Sequence, residues 1–81
     1  MFINKANNGT NNLCGQNIYY FRKNLGISQR ELADRLQIRG LDVDKNAIQR
    51  IEAGKRFVTD IELSYIATIF NKSIDELIKY S

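Results

Sequence analysis

The sequence predicts an all-α fold, a compact bundle of five short helices. From Leu13 onward apolar residues recur at helical spacing, and no stretch alternates as a β-strand would. Three Ser or Thr residues are each followed by Glu at the third position, which is the pattern of a capping box at a helix start. Glycines stand between the periodic segments, where left-handed backbone ends a helix at little cost. A chain of 81 residues has room for one domain.

The first two helices are expected at about 15–25 and 29–37. Gly26 ends the first helix. Ser28 and Glu31 begin the second, because the hydroxyl accepts from the third helical N–H and the Glu reaches back to the N–H of the cap. The faces expected to turn inward are apolar stripes: Ile18, Phe21 and Leu25, with Arg22 at the border, in the first helix, and Leu32, Ala33 and Leu36 in the second.

The third helix is expected at about 45–53. Asp44 is its N-cap and places a carboxylate at the positive end of the helix. Val43 precedes the cap and can pack on Ile48 as a hydrophobic staple. Gly54 ends the helix.

The fourth and fifth helices are expected at about 60–70 and 74–79, beginning with the capping boxes Thr59–Glu62 and Ser73–Glu76. The fourth is apolar around much of its circumference, which indicates either the central element of the bundle or a surface shared with a second subunit. The fifth has more apolar residues than a short core contact needs. This surplus predicts a two-fold homodimer near the C-terminus, with an interface of Ile74, Leu77, Ile78 and Tyr80.

The composition excludes several kinds of chemistry. Without His the chain cannot hold a Ser-His-Asp or Cys-His catalytic unit or an imidazole metal ligand. Its one thiol, Cys14, cannot form an internal disulfide, and we expect a small packed residue there. With no signal-peptide pattern and no apolar run of ~20 residues, we expect a soluble protein of the reducing cytoplasm. We expect no metal, no cofactor and no enzymatic activity.

Positive charge is concentrated in the middle of the chain. Residues 22–56 carry nine of the twelve Lys and Arg side chains and five of the nine acidic ones, a net charge of +4, whereas the remainder has −1. Such a basic segment favours a face that binds an anionic partner. A solvated charged surface without a partner is the alternative.

The third helix divides into two faces of different chemistry. The inner face is apolar and consists of Ala47, Ile48 and Ile51. The outer face has neither acidic nor apolar residues and consists of Lys45, Asn46, Gln49 and Arg50. Arg and Lys donate to guanine O6 and N7, and Asn or Gln pairs with adenine N6 and N7. A polar face without function would more commonly include an acid, so the pattern favours the reading of DNA bases.

Residues 1–12 are rich in Asn and lack an apolar period. We therefore predict a flexible N-terminal arm over 1–12, which either frays or reaches along a DNA groove, and a folded domain over 13–81.

Two motifs carry a resemblance to a known family. Residues 25–33 read Leu-Gly-Ile-Ser-Gln-x-Glu-Leu-Ala, and residues 48–56 read Ile-x-x-Ile-Glu-x-Gly-Lys-Arg. In this order, and with Ile-Asp-Glu-Leu at 74–77, they resemble the phage-repressor-like helix-turn-helix family, also called Cro/C1 or XRE. The resemblance runs from Asn12 to Tyr80. It implies a lambda-repressor-like DNA-binding domain, a compact five-helix bundle whose third helix enters the major groove while the second crosses the backbone.

The resemblance also implies roles for individual residues. The base-contacting positions are Lys45, Asn46 and Arg50, with Gln49 beside them. The phosphate-contacting positions are Gln29 at the start of the second helix, Lys55, Arg56 and Arg22. Arg22 and Glu52 match a pair that forms an internal salt bridge in the family.

The connection between the second and third helices departs from the family pattern. Residues 37–43 make it several residues longer than the short turn of the simplest members. We expect Ile38 and Leu41 to pack this loop onto the core and Arg39 to add a phosphate contact.

The function that these features favour is sequence-specific binding of double-stranded DNA by a transcriptional regulator. We expect a bacterial or phage-encoded repressor of the cytoplasm that binds a pseudo-palindromic operator as a dimer and is associated with the nucleoid when bound. One alternative is the antitoxin of a toxin–antitoxin pair, which would also bind a protein partner. The other is a helical protein-interaction module that has lost DNA binding, although the acid-free face of the third helix argues against it.

Overall fold

The computed structural model describes residues 9–79 and confirms the all-α prediction. Five helices follow one another in this part of the chain: α1 (Gly15–Leu25), α2 (Gln29–Ile38), α3 (Lys45–Glu52), α4 (Asp60–Phe70) and α5 (Ile74–Ile78). Each expected boundary lies within one residue of the observed one. Over the described residues no helix combines the length and apolar character that crossing a membrane requires.

Helices α2 to α5 each begin at a residue whose side chain caps the helix. Ser28 Oγ accepts from Glu31 N at 3.0 Å, and Glu31 Oε1 accepts from Ser28 N at 3.2 Å. The same reciprocal box starts α4 at Thr59 and α5 at Ser73. At α3, Asp44 Oδ1 accepts from Ala47 N at 2.8 Å. Each cap satisfies backbone N–H groups that have no partner within the helix.

One hydrophobic core joins all five helices. α3 packs against α1 and α2, while α5 packs against α1 and α4, and α2 also contacts α4. The largest fully buried side chains are Ile18, Leu32, Leu36, Ile48, Ile51, Ile66 and Leu77. Truncating such a residue to Ala costs about 2 to 5 kcal/mol, so this cluster sets the arrangement of the helices.

The first helix also binds the C-terminal end of the domain through a polar contact. Asn17 Nδ2 in α1 donates to the carbonyl oxygens of Leu77 at 2.7 Å and Lys79 at 2.9 Å. This side chain links α1 to the last turn of α5 across almost the whole length of the sequence.

Two apolar residues expected in the core lie outside it. Leu25 is 48% exposed, because the buried stripe of α1 consists of Gly15, Ile18 and Arg22. Ile38 is 86% exposed. The loop after α2 folds back through a hydrogen bond from Leu41 N to Leu36 O at 3.0 Å, so Leu41 packs against the core while Ile38 points away from it.

The predicted N-terminal arm falls partly outside the described residues, which begin at Gly9. Residues 10–12 differ from the expectation of a flexible segment. Asn11 N donates to Gly54 O at 2.8 Å, and Asn12 Oδ1 accepts from Gly15 N at 2.8 Å. An apolar period predicts packing of apolar side chains. It carries no information about these contacts, because backbone and side-chain amide groups make them.

Candidate nucleic-acid interface

Helix α3 presents one polar, solvent-exposed face. Ile48 and Ile51 on the opposite side are at most 1% exposed and fix the rotation of the helix about its axis. The exposed side chains are those of Lys45, Asn46, Gln49 and Arg50. Within residues 9–79 none of these four side chains has a hydrogen-bond or ion-pair partner. Their donors and acceptors are therefore free to bind a ligand without breaking internal contacts.

A buried carboxylate joins three helices behind this face. Glu52 Oε2 accepts from Arg22 Nε at 2.7 Å, and Glu52 Oε1 accepts from Arg22 Nη2 at 3.0 Å. The side chains of Arg22 and Glu52 are only 8% and 6% exposed. Gln29 Nε2, at the start of α2, donates to the same Oε1 at 3.0 Å. The network ties the end of α3 to α1 and to the first turn of α2.

The position of Arg22 differs from that expected of a phosphate contact. Its third hydrogen bond runs from Nη1 to Ile27 O at 2.9 Å, so each nitrogen of the buried guanidinium has a protein partner. The hydrogen bond with Glu52 raises the pKa of Arg22 and keeps it charged. Arg22 therefore holds the interior of the domain together, and its charge is not at the surface.

Gln29 lies between the interior and the surface. It is half-buried, and one N–H of its amide is used by Glu52. Its Oε1 and second N–H have no partner in the described part of the chain. The side chain can therefore bind an external group while it still holds Glu52.

The two basic residues after α3 have different environments. Arg56 donates from Nη1 and Nη2 to Glu62 at 3.0 and 2.8 Å, and Nη1 also donates to Phe57 O at 3.1 Å. The hydrogen bonds between them raise the pKa of Arg56 and lower that of Glu62. Because Glu62 also belongs to the capping box of α4, Arg56 links this loop to α4. Lys55 is exposed and has no side-chain partner within residues 9–79.

A shallow basic groove lies beside the face of α3. It runs between the end of α1, the first turn of α2 and the start of α3, and its exposed cations are Lys23, Arg30 and Lys45. The exposed carboxylate of Glu31, which belongs to the capping box of α2, also lines the groove and offsets part of this positive charge. Lys23 and Arg30 were not predicted at the site from the sequence, although they are adjacent to two residues that were, Arg22 and Gln29. Arg39, at the other end of α2, is exposed and lies outside this groove.

The residues expected at a dimer interface are not all accessible. Leu77 is fully buried, because α5 uses it to contact the core, and this places it away from any surface between subunits. Ile74 is 39% exposed, and Ile78 is half-buried against the core cluster. Tyr80 lies outside the described residues.

Cys14 occupies a packed position. It is 1% exposed, and burial raises the pKa of its thiol to about 11. The thiol is therefore protonated at neutral pH. Among residues 9–79 no three side chains of the types Cys, Asp or Glu are grouped so as to hold a metal ion.

Comparison with models of protein families gave a match over most of the chain. Residues 18–77, which include all of α2, α3 and α4, match the model of a family described as helix-turn-helix. No curated protein and no solved structure was found to match the chain.

Proposed function

The chain belongs to the Cro/C1-type helix-turn-helix family of DNA-binding transcription regulators, and from this premise we propose that it is a repressor with one specific double-stranded operator. The observation that carries the proposal is the exposed face of α3. Four side chains of types that hydrogen-bond to DNA bases lie side by side on it. Within residues 9–79 they have no hydrogen-bond or ion-pair partner, and no acidic residue lies on that face. All four side chains are of types that hydrogen-bond to base edges in the major groove.

In the proposed complex α3 enters the major groove. Lys45 and Arg50 donate to guanine, while Asn46 and Gln49 pair with adenine. The network of Arg22, Glu52 and Gln29 does not read bases. It holds α2 at a constant angle to α3, so that the four base-contacting side chains of α3 enter the major groove of the DNA together.

Phosphate contacts surround the reading helix. We assign them to the exposed cations Lys23, Arg30, Arg39 and Lys55, together with the part of the Gln29 amide that Glu52 does not use. Compared with the roles implied by the family resemblance, Arg22 is replaced by its neighbour Lys23. Arg56 keeps a secondary role, because Glu62 already neutralises its charge.

We also propose that two subunits bind a pseudo-palindrome, with half-site centres about one DNA turn, ~34 to 36 Å, apart. The subunits meet near α5 through the exposed part of Ile74, with Ile78 and the following Tyr80. Since Leu77 is buried, it contributes to this interface only by fixing α5 to the core.

The test is selection of bound duplexes from a random library by the purified protein at moderate salt, followed by sequencing. We expect enrichment of a motif with two related half-sites. In the same selection, Arg50→Ala should change the preference at defined positions of each half-site. Absence of enrichment together with absence of salt-dependent binding would overturn the proposal and favour a protein-interaction module.

A further inference from the structure

Residues 10–12, which we call the strap, lie against the last turn of α3 and the loop that follows it. Asn12 makes most of the contacts. Its Nδ2 donates to Ile51 O at 3.1 Å and to Arg56 O at 2.8 Å, while its Oδ1 accepts from Gly15 N at 2.8 Å. One amide side chain therefore caps the start of α1 and binds one carbonyl group in the last turn of α3 and another in the loop that follows it.

Asn11 binds the loop at Lys55, whose cationic side chain is exposed. Asn11 Nδ2 donates to Lys55 O at 3.0 Å, and the backbone N–H of Lys55 donates to Arg50 O at 2.9 Å. The backbone of Lys55 is thus fixed at both its N–H and its carbonyl. Its side chain projects into solvent from this fixed position.

Two glycines allow the strap and α1 to approach the end of α3 so closely. A Cβ atom on Gly15 would collide with the backbone oxygen of Ile51, and one on Gly54 would lie 2.7 Å from Thr10 Cγ2. Gly54 also has a φ of 75°, which L side chains rarely adopt. Any side chain at either position would push the strap or α1 away from the helix.

We propose that the strap is a positioning element for DNA binding: it holds the end of α3 and sets where Lys55 meets the DNA backbone. This inference rests on the proposed function. A binding site must be held within about 0.5 Å of its productive geometry, and α3 has only eight residues to carry it. The strap lies outside residues 18–77, so it adds a support that the matched helix-turn-helix unit does not itself contain.

The test uses Asn12→Asp in the full chain. The carboxylate keeps an acceptor for Gly15 N, but it replaces the Nδ2 donor by an oxygen that faces the carbonyls of Ile51 and Arg56. Gln16→Glu is the matched control, because it makes the same change of charge at an exposed position in the first turn of α1. Both variants, Lys55→Ala, and the combination of Asn12→Asp with Lys55→Ala are titrated onto the selected operator by fluorescence anisotropy over a series of salt concentrations.

We expect Asn12→Asp to weaken operator binding about tenfold, and Gln16→Glu to change it less than about twofold. Asn12→Asp should also lower the salt slope by about one, as Lys55→Ala does. Because the strap is proposed to act through Lys55, the combined variant should bind as Asn12→Asp does alone. Losses that add in the combined variant, or equal binding by Asn12→Asp and Gln16→Glu, would overturn the inference.

Amide hydrogen exchange in the absence of DNA provides a second measurement. Asn12→Asp should accelerate exchange at the amides of residues 53–55 and leave those of α4 unchanged. Equal acceleration throughout the domain would indicate general destabilisation and would also overturn the inference. If the unaltered protein binds no duplex, the proposed function fails, while exchange still decides whether the strap holds the end of α3.

Discussion

Gln29 Nε2 donates to Glu52 Oε1 at 3.0 Å, and that oxygen also accepts from Arg22 Nη2 at 3.0 Å. If no charged group lay between two helices, the shapes of their side chains would set the angle at which they pack. Here the buried carboxylate of Glu52 accepts a hydrogen bond from Gln29 in the first turn of α2 and pairs with the guanidinium of Arg22 in α1. The angle between α2 and α3 therefore depends on Glu52 as well as on the connecting loop.

Glu52→Gln should destabilise the domain by about 3 kcal/mol, because Arg22 stays buried without a countercharge. Urea denaturation followed by circular dichroism measures this loss. Glu76→Gln is the control, since it makes the same chemical change at a carboxylate that is 50% exposed and only 3.8 Å from Lys72 Nζ. Its cost should be much smaller than that of Glu52→Gln, because water screens an exposed carboxylate. Equal costs for the two variants would show that burial of the Arg22–Glu52 pair has no energetic consequence.

Arg50→Ala and Lys55→Ala should weaken DNA binding in two different ways. We expect Arg50→Ala to lose about 1 to 3 kcal/mol of operator binding and to relax the preference at one base pair. Lys55→Ala should weaken binding to operator and random duplexes alike and lower the salt slope by about one. Titrations of both duplexes at several salt concentrations separate the two. If the variants behave identically on both duplexes, the assignment of Arg50 to a base contact and Lys55 to a phosphate contact is wrong.

The ion pair of Arg56 with Glu62 should make stability depend on pH. The hydrogen bond from Arg56 lowers the pKa of Glu62 below its ordinary value of 4.5 in the folded protein. A carboxyl with a lowered folded pKa stabilises the fold above its unfolded pKa, and this contribution disappears as pH falls through the folded pKa. The difference in unfolding free energy between the unaltered protein and Glu62→Gln should therefore be largest near neutral pH and shrink below pH 4.5.

The control for this pH dependence is Glu31→Gln. It removes the carboxylate of another capping box that has no Arg partner within residues 9–79. A constant difference between the unaltered protein and Glu62→Gln from neutral to acidic pH would contradict the role given to Arg56.

Ile74→Asp should shift the protein from dimer to monomer, because it places a charge on the exposed apolar part of α5. Sedimentation velocity over a concentration series up to tens of micromolar measures the change. Ile38→Asp, at a side chain that is 86% exposed on α2, should leave the association unchanged. A monomeric mass for the unaltered protein at every concentration would rule out the proposed dimer.

Local signals in the sequence were sufficient for the helices. The capping residues Ser28, Asp44, Thr59 and Ser73 act over three or four positions, so their pattern predicts helix starts without knowledge of the tertiary structure. The outward face of α3 was predictable for the same reason, since helical periodicity separates Lys45 and Arg50 from Ile48 and Ile51.

Contacts between distant residues were less predictable. The bond between Asn12 and Arg56 spans 44 positions, and no periodicity reports it. Arg56 was predicted at a phosphate because its charge is visible in the sequence, whereas its pairing with Glu62 depends on the path of the loop between α3 and α4. Leu77 was predicted at a subunit interface because an apolar residue on a short terminal helix has the same appearance whether it faces the core or a partner.

The bond from Asn17 to the carbonyl of Leu77 has a consequence for synthesis of the chain. These residues are 60 positions apart, so a ribosome adding about 5 to 20 residues per second makes α1 roughly 3 to 12 s before the end of α5. During that interval the start of α1 lacks its partner, and the buried side chains that α5 covers remain exposed. We therefore expect the nascent chain to complete its fold only after residue 79 has left the exit tunnel.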